Sequence, residues 1–177
     1  MAPAILVLAS GYFVGGALGD YFFKRSLRGR VFVAIVGVLT GAILLTITLN
    51  VPLDEKTLFM ILLSLTALFI PFSSPNVVST VYDITLPEVR STALSVQYFI
   101  EESGSALAPL IAGIIASQAS LHVALLAICV VAWILTAVFL ALTAYLIPRD
   151  IYVLREQMRE RAEFEKQRAE SEIITAA

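Results

Sequence analysis

Charge is what this sequence has least of: Asp, Glu, Lys and Arg make up 15% of its 177 residues, against about 25% in a soluble domain. There is one cysteine, Cys129, which excludes an intrachain disulfide framework and a cysteine-ligated metal site. The single histidine, His122, leaves no H-E-x-x-H zinc motif, and no G-x-S-x-G occurs, so these hydrolytic chemistries lack their residues. No metal site, cofactor or nucleic-acid partner is expected. The first apolar stretch lacks a basic n-region and outruns the usual h-region, so it reads as a span rather than a signal peptide. What is abundant is apolar: 59% of residues, with a mean hydropathy of +0.89.

A helix needs about 20 apolar residues to cross roughly 30 Å of hydrocarbon. Five segments qualify: 3–23, 31–51, 57–82, 91–119 and 121–147. Their apolar runs do not alternate, which excludes a closed barrel, and a backbone in lipid must then be helical. The expected fold is all-α, a polytopic bundle of five transmembrane helices over 1–148. A charged tail over 149–177 reads as a separate helix starting just past Pro148. Tight hairpins are expected at Pro52–Lys56 and Gln118–His122.

Eleven of the twelve basic residues fall on one side of the predicted membrane: Lys24, Arg25, Arg28 and Arg30, then Arg90, then six in the tail. Only Lys56 lies opposite. The bias of Lys and Arg toward the cytoplasm places the N-terminus outside and the tail inside, with the plasma membrane as the expected location.

The spans differ in polarity. Spans two and five are nearly all Val, Ile, Leu, Ala and Phe, as expected of helices with much lipid contact. Span one carries Gly11, Gly15 and Gly19, overlapping GxxxG units that permit close helix approach, and Gly37 and Gly41 repeat the spacing in span two. Span three contains Pro71-Phe72-Ser73-Ser74-Pro75-Asn76, whose prolines should kink the helix. Ser73, Asn76, Thr80 and Asp83 share one face of it. That face either lines a cavity, with Ser74 beside it, or satisfies the helix's own freed carbonyls.

Span four holds Glu101-Glu102 about 15 Å from Ser91, near the middle of the membrane. An acid there costs about 2.5–3.5 kcal/mol on insertion scales. Adjacent residues point about 100° apart, so the two acids cannot serve one site equally. Gln97, Glu101 and Ser105 form one polar-to-small stripe, and Glu101 is the better cavity candidate. Desolvation favours its protonated form, which suits a proton carrier. The alternative is a neutral, hydrogen-bonded acid joining helices. Ahead of this span, Thr85-Leu86-Pro87-Glu88 has the form of a capping box with proline in the first turn.

Gly16-Ala17-Leu18-Gly19-Asp20, followed by a basic loop ending Arg28-Gly29-Arg30, resembles the G-x-L-(A/G)-D…G-R signature of major facilitator superfamily transporters. Two spans later, Pro87-Glu88-Val89-Arg90-Ser91-Thr92-Ala93, leading to Gly104, Pro109 and Gly113, is similar to the segment entering the fifth helix of a six-helix half. The basic loop departs from the pattern: Gly29 falls nine residues after Asp20, longer than the signature's spacing. A tail after the last span points to the C-terminal half, with the spans as helices eight to twelve. The resemblance implies a secondary active transporter working by alternating access on a small solute, with a missing N-terminal half as partner besides the lipid bilayer. Ser73, Ser74, Asn76 and Thr80 would line the path with Gln97, Glu101 or Glu102 would carry a proton or pair a cation, and Gly16, Asp20, Arg28, Arg30, Asp83, Glu88 and Arg90 would form the cytoplasmic gate.

Two other classes compete. Gly19-Asp20 and Tyr82-Asp83 are superficially similar to the paired aspartates of presenilin-like proteases, but Ala17 stands where G-x-G-D needs glycine and the motifs occur in reverse order. An enzyme is therefore not expected. A small scaffold or half-size subunit that pairs with another membrane chain remains the alternative.

Overall fold

The computed structural model describes residues 2–52 and 54–176, with side chains described over 5–52 and 54–172. Among these residues there is no strand. Helix α1 runs Ala2–Phe23, α2 Gly29–Leu49 and α3 Lys56–Phe69. A 3-10 turn at Ile70–Phe72 leads into α4, Ser73–Ile84, and a second at Pro87–Val89 leads into α5, Arg90–Gln118. Helix α6 is a single run from Leu121 to Ala176. Five helical segments, with α3 and α4 counted as one, are long and apolar enough to span a membrane. The turns at 50–55 and 119–120 are as short as the sequence requires.

The proline kink in the third span falls at Pro71, which sits buried inside the 3-10 turn. Pro75 lies in the first turn of α4, where a backbone N–H would have no helical partner anyway, so it does not break the helix.

Helix α2 is the centre of the bundle, packed against α1, α3, α4 and α6. This corrects the expectation of a largely lipid-facing helix. In hydrocarbon an apolar side chain does not mark inside from outside, whereas small residues do. Buried Ala34, Gly37, Gly41 and Ala42 give α2 its close-packed faces. Val31, Ala34 and Val38 meet Leu140, Ala144, Ile147 and Ile151 of α6 in one buried cluster. Both sets step by three, four or seven residues, which is the seam of a left-handed helix pair.

Helix α1 docks through its glycine ladder. A methyl group on Gly15 would lie 2.7 Å from Phe72 Cα, while one on Gly11 would collide with the Leu68 carbonyl and one on Gly19 with Asn76 Oδ1. The three glycines and Leu68, Phe72 and Asn76 both advance by four, so two i, i+4 ridges lie flat together. Phe72 is held on the other side by Gly37 of α2.

Two local expectations are overturned. The helix does not restart at Pro148; α6 continues through it. The carbonyl freed there is four residues back, at Ala144, and the tail beyond is rich in Arg, Glu, Gln and Ala, strong helix formers that propagate the run. Thr85 does not cap α5. Its hydroxyl donates back to the Val81 carbonyl at the end of α4, and neither the Pro87–Val89 turn nor α5 has a side-chain cap. A Thr in the last turn has a carbonyl within reach four residues earlier, and that bond wins.

Candidate functional site

Two polar constellations stand out in this apolar molecule. The first is a cleft of about 410 Å³ between α2, α4, α5 and α6. Ser73 and Ser74 enter it from the first turn of α4, Gln97 and Glu101 from α5, and Trp133 and Thr136 from α6. Glu101 lies eleven residues into α5 and Trp133 twelve residues into α6 from the opposite end. At 1.5 Å per residue both stand roughly 16–18 Å from their helix starts, near mid-membrane.

The one-turn spacing of Gln97 and Glu101 stacks them on one stripe of α5. Gln97 Oε1 is enclosed and receives no hydrogen bond from the described residues. An enclosed acceptor without a donor is costly in hydrocarbon; around it the cleft is lined by a carboxyl, two serine hydroxyls and an indole. Both Glu101 and the next residue, Glu102, are exposed in this chain, but only Glu101 lines the cleft.

Asn76 and Thr80 do not join Ser73 and Ser74. Asn76 is 2% exposed and its amide donates to the Gly15 carbonyl of α1 at 2.9 Å and to the Phe72 carbonyl at 2.7 Å. Thr80 is also buried. The polar face of α4 is divided: its start opens on the cleft, while Asn76 fastens α4 to α1.

The second constellation lies at the end of the bundle that carries the α1–α2 loop. Arg30, at the start of α2, bridges two acids. Its Nη2 and Nε reach Asp20 Oδ1 of α1 at 2.7 and 3.1 Å, and its Nη1 pairs with Asp83 Oδ2 at the end of α4. The guanidinium also stands over the Phe23 ring, 4.1 Å from its centroid. A planar five-donor fork serves two carboxylates at once where an ammonium could not. Three helix ends are thereby tied at one residue. The long basic loop between Asp20 and Arg30 does not prevent this, because α1 and α2 are antiparallel and Gly29 packs against the Phe22 backbone.

The remaining expected gate residues are spread around this triad. Gly16 faces Pro75 at ordinary contact distance, and Arg28 is exposed on the loop. Arg90 donates to the carbonyls of Thr85 and Tyr82, both at 3.2 Å, closing the α4–α5 turn. Glu88 pairs at 2.6 Å with Arg161, well out along α6. Sequence reasoning missed Trp133, Thr136 and Arg161. The chain's one tryptophan in mid-span was a readable signal, since an indole N–H in hydrocarbon requires a polar neighbour. Nothing local marks Arg161 among the tail's many charges.

Apolar helices long enough to span a bilayer, a polar cleft at half depth and ion pairs confined to one end define an integral, multi-pass membrane protein. The family model of the Major Facilitator Superfamily matches residues 1–172, and the chain belongs to that superfamily. Its members are transporters rather than enzymes. No curated protein matches the chain.

Proposed function

We propose that the chain is five of the six helices in the C-terminal half of a secondary active transporter, its spans corresponding to helices eight to twelve. The N-terminus is outside, and the Asp20–Arg30–Asp83 triad and the tail of α6 are cytoplasmic, in the plasma membrane. The observation that carries this reading is α5. It has no buried residue, although it bears Gln97, Glu101 and Glu102 at membrane depth. Acids there must face protein or a water-filled path, and this chain covers only one side of the helix, through α4 and α6. A second six-helix half supplies the other side, and the solute path runs between the halves.

In this mechanism no covalent bond changes. Rocking of the two halves exposes the midplane cleft alternately to either side. Glu101 carries a proton, with Gln97, Ser73, Ser74 and Trp133 contacting the solute. The triad holds α1, α2 and α4 as one rigid body while the cytoplasmic gate opens and closes.

The test is Glu101→Gln in the assembled transporter in proteoliposomes, with solute-driven acidification followed by a pH-sensitive dye over a solute panel. Loss of proton movement with normal expression is the expected result. Uptake that stays proton-coupled in Glu101→Gln removes the proton-carrier role.

The unpartnered α5 equally suits a half-size subunit that pairs with a separate membrane chain. The mass of the detergent-solubilised assembly separates the readings. A stable complex with a second, different membrane chain supports the subunit.

A further inference from the structure

A second cleft, of about 430 Å³, opens between α1 and α2 and is unrelated to the polar cleft at mid-membrane. Leu18 and Phe22 of α1 and Phe32, Val33 and Val36 of α2 form its apolar walls, and Arg25 stands at its loop end. Leu18 and Phe22 stand one helical turn apart on α1 and Arg25 lies in the turn that follows it, so the cleft runs along the end of α1 toward the loop. Phe22, Phe32 and Val36 are open to the surroundings. They lie off the glycine face of α1, which α3 and α4 already cover. The cleft is apolar at hydrocarbon depth and cationic only at its membrane-surface end.

The cations at that end are free to act. The Arg25 guanidinium is steadied over the Tyr21 ring, 4.6 Å from its centroid, and donates to the Tyr21 hydroxyl. Lys24 and Arg28 belong to the same loop, and neither forms an ion pair among the described residues. The nearby acids, Asp20 and Asp83, are both engaged by Arg30. The N-terminus of α2 has no side-chain cap, and its positive end adds to the same field. Gly29 packs against the Phe22 backbone, which holds the mouth narrow and brings loop and groove together.

We infer that this cleft binds one anionic phospholipid, its phosphate on Arg25 between Lys24 and Arg28 and one acyl chain between Phe22 and Phe32. A zwitterionic lipid fills the groove equally well but gains less from the cations, so headgroup charge sets the preference.

The chain, with any membrane partner that co-purifies, is delipidated in detergent and titrated with short-chain phosphatidylglycerol or phosphatidylcholine under native mass spectrometry. The expected result is one tightly held phosphatidylglycerol, at least about tenfold preferred over phosphatidylcholine. Lys24→Gln/Arg25→Gln should weaken phosphatidylglycerol about 30-fold, from roughly one cation-phosphate interaction lost per residue, and weaken phosphatidylcholine markedly less. Val36→Trp fills the exposed groove without touching charge and should weaken both lipids. Equal affinity of the parent for the two lipids overturns the inference and needs no variant. So does undiminished lipid binding in Val36→Trp, which reduces the site to adsorption on a basic surface. Displacement of the lipid by equimolar inorganic phosphate overturns it in favour of a free anion.

Discussion

Removing the Asn76 carboxamide should loosen the bundle rather than alter the solute path. In Asn76→Ala the 2.9 Å bond to the Gly15 carbonyl disappears along with the bond to Phe72. An interhelical hydrogen bond in a membrane averages about 0.6 kcal/mol and reaches about 1.7. The void left by the side chain, roughly 40 Å³, adds about 1 kcal/mol at ~24 cal/mol per Å³. Together these amount to about 2 kcal/mol, which lowers the melting temperature of a chain this size by roughly 4–8 °C. Thermal unfolding of the detergent-solubilised protein, followed through the emission of its single tryptophan, Trp133, measures the change. The structure also fixes the sign of a coupling. A methyl on Gly19 would occupy the position of Asn76 Oδ1, so Gly19→Ala alone destabilises. In the Asn76→Ala background the same methyl enters the void, and the double variant should be more stable than the sum of the singles, by about 0.5–3 kcal/mol for residues in contact. Normal melting of Asn76→Ala together with impaired transport would refute the reasoning and return Asn76 to the path.

The Arg30 bridge should show the same kind of asymmetry. Arg30→Met leaves Asp83, only 21% exposed, without its cation and should cost about 1–3 kcal/mol; Arg30→Lys should recover only part, because an ammonium lacks the planar fork whose separate nitrogens reach the two acids. Melting in detergent checks both, and a parental value for Arg30→Met refutes the structural role. The adjacent glycines give a matched pair. Gly15→Ala drives a methyl into Phe72, whereas Gly16→Ala meets Pro75 no closer than 3.6 Å, so the first should melt below the second by the equivalent of about 1–3 kcal/mol.

The five spans were legible because length and hydropathy act on the whole segment, and no packing detail can override the need to satisfy a backbone in lipid. The kink was legible for the same reason: a missing N–H at Pro71 has one local consequence. Inside and outside were not. Helix α2, apolar over most of its length, turned out central, while the more polar α5 has no buried residue, because lipid removes the contrast that hydropathy reads in water. The glycines held the missing information, and Gly37 and Gly41 did mark the face of α2 that meets Phe72 and Trp133. Periodicity placed Ser73, Asn76 and Thr80 on one face of α4, yet a helix face about 100° wide has two neighbours here. Ser73 went to the cleft and Asn76 to α1. The resemblance groups Asp20, Arg30 and Asp83 at one end of the bundle, but that a single guanidinium ties both acids follows only from the packing of α4, which brings Asp83, 53 residues beyond Arg30, to it.

The unbroken α6 has a mechanical meaning. From Arg149 to Ala176 the helix projects roughly 42 Å past the last membrane residues at 1.5 Å per residue, continuous with the segment that packs on α2. It is a rigid arm, half of it in the bilayer and half of it outside. A rotation of about 10° at the α2–α6 seam would sweep its far end through roughly 7 Å. The Arg161–Glu88 pair is a tether part-way along that arm, attached where α5 begins. Small rearrangements among the spans are therefore carried well outside the membrane, where a label on the tail would report them.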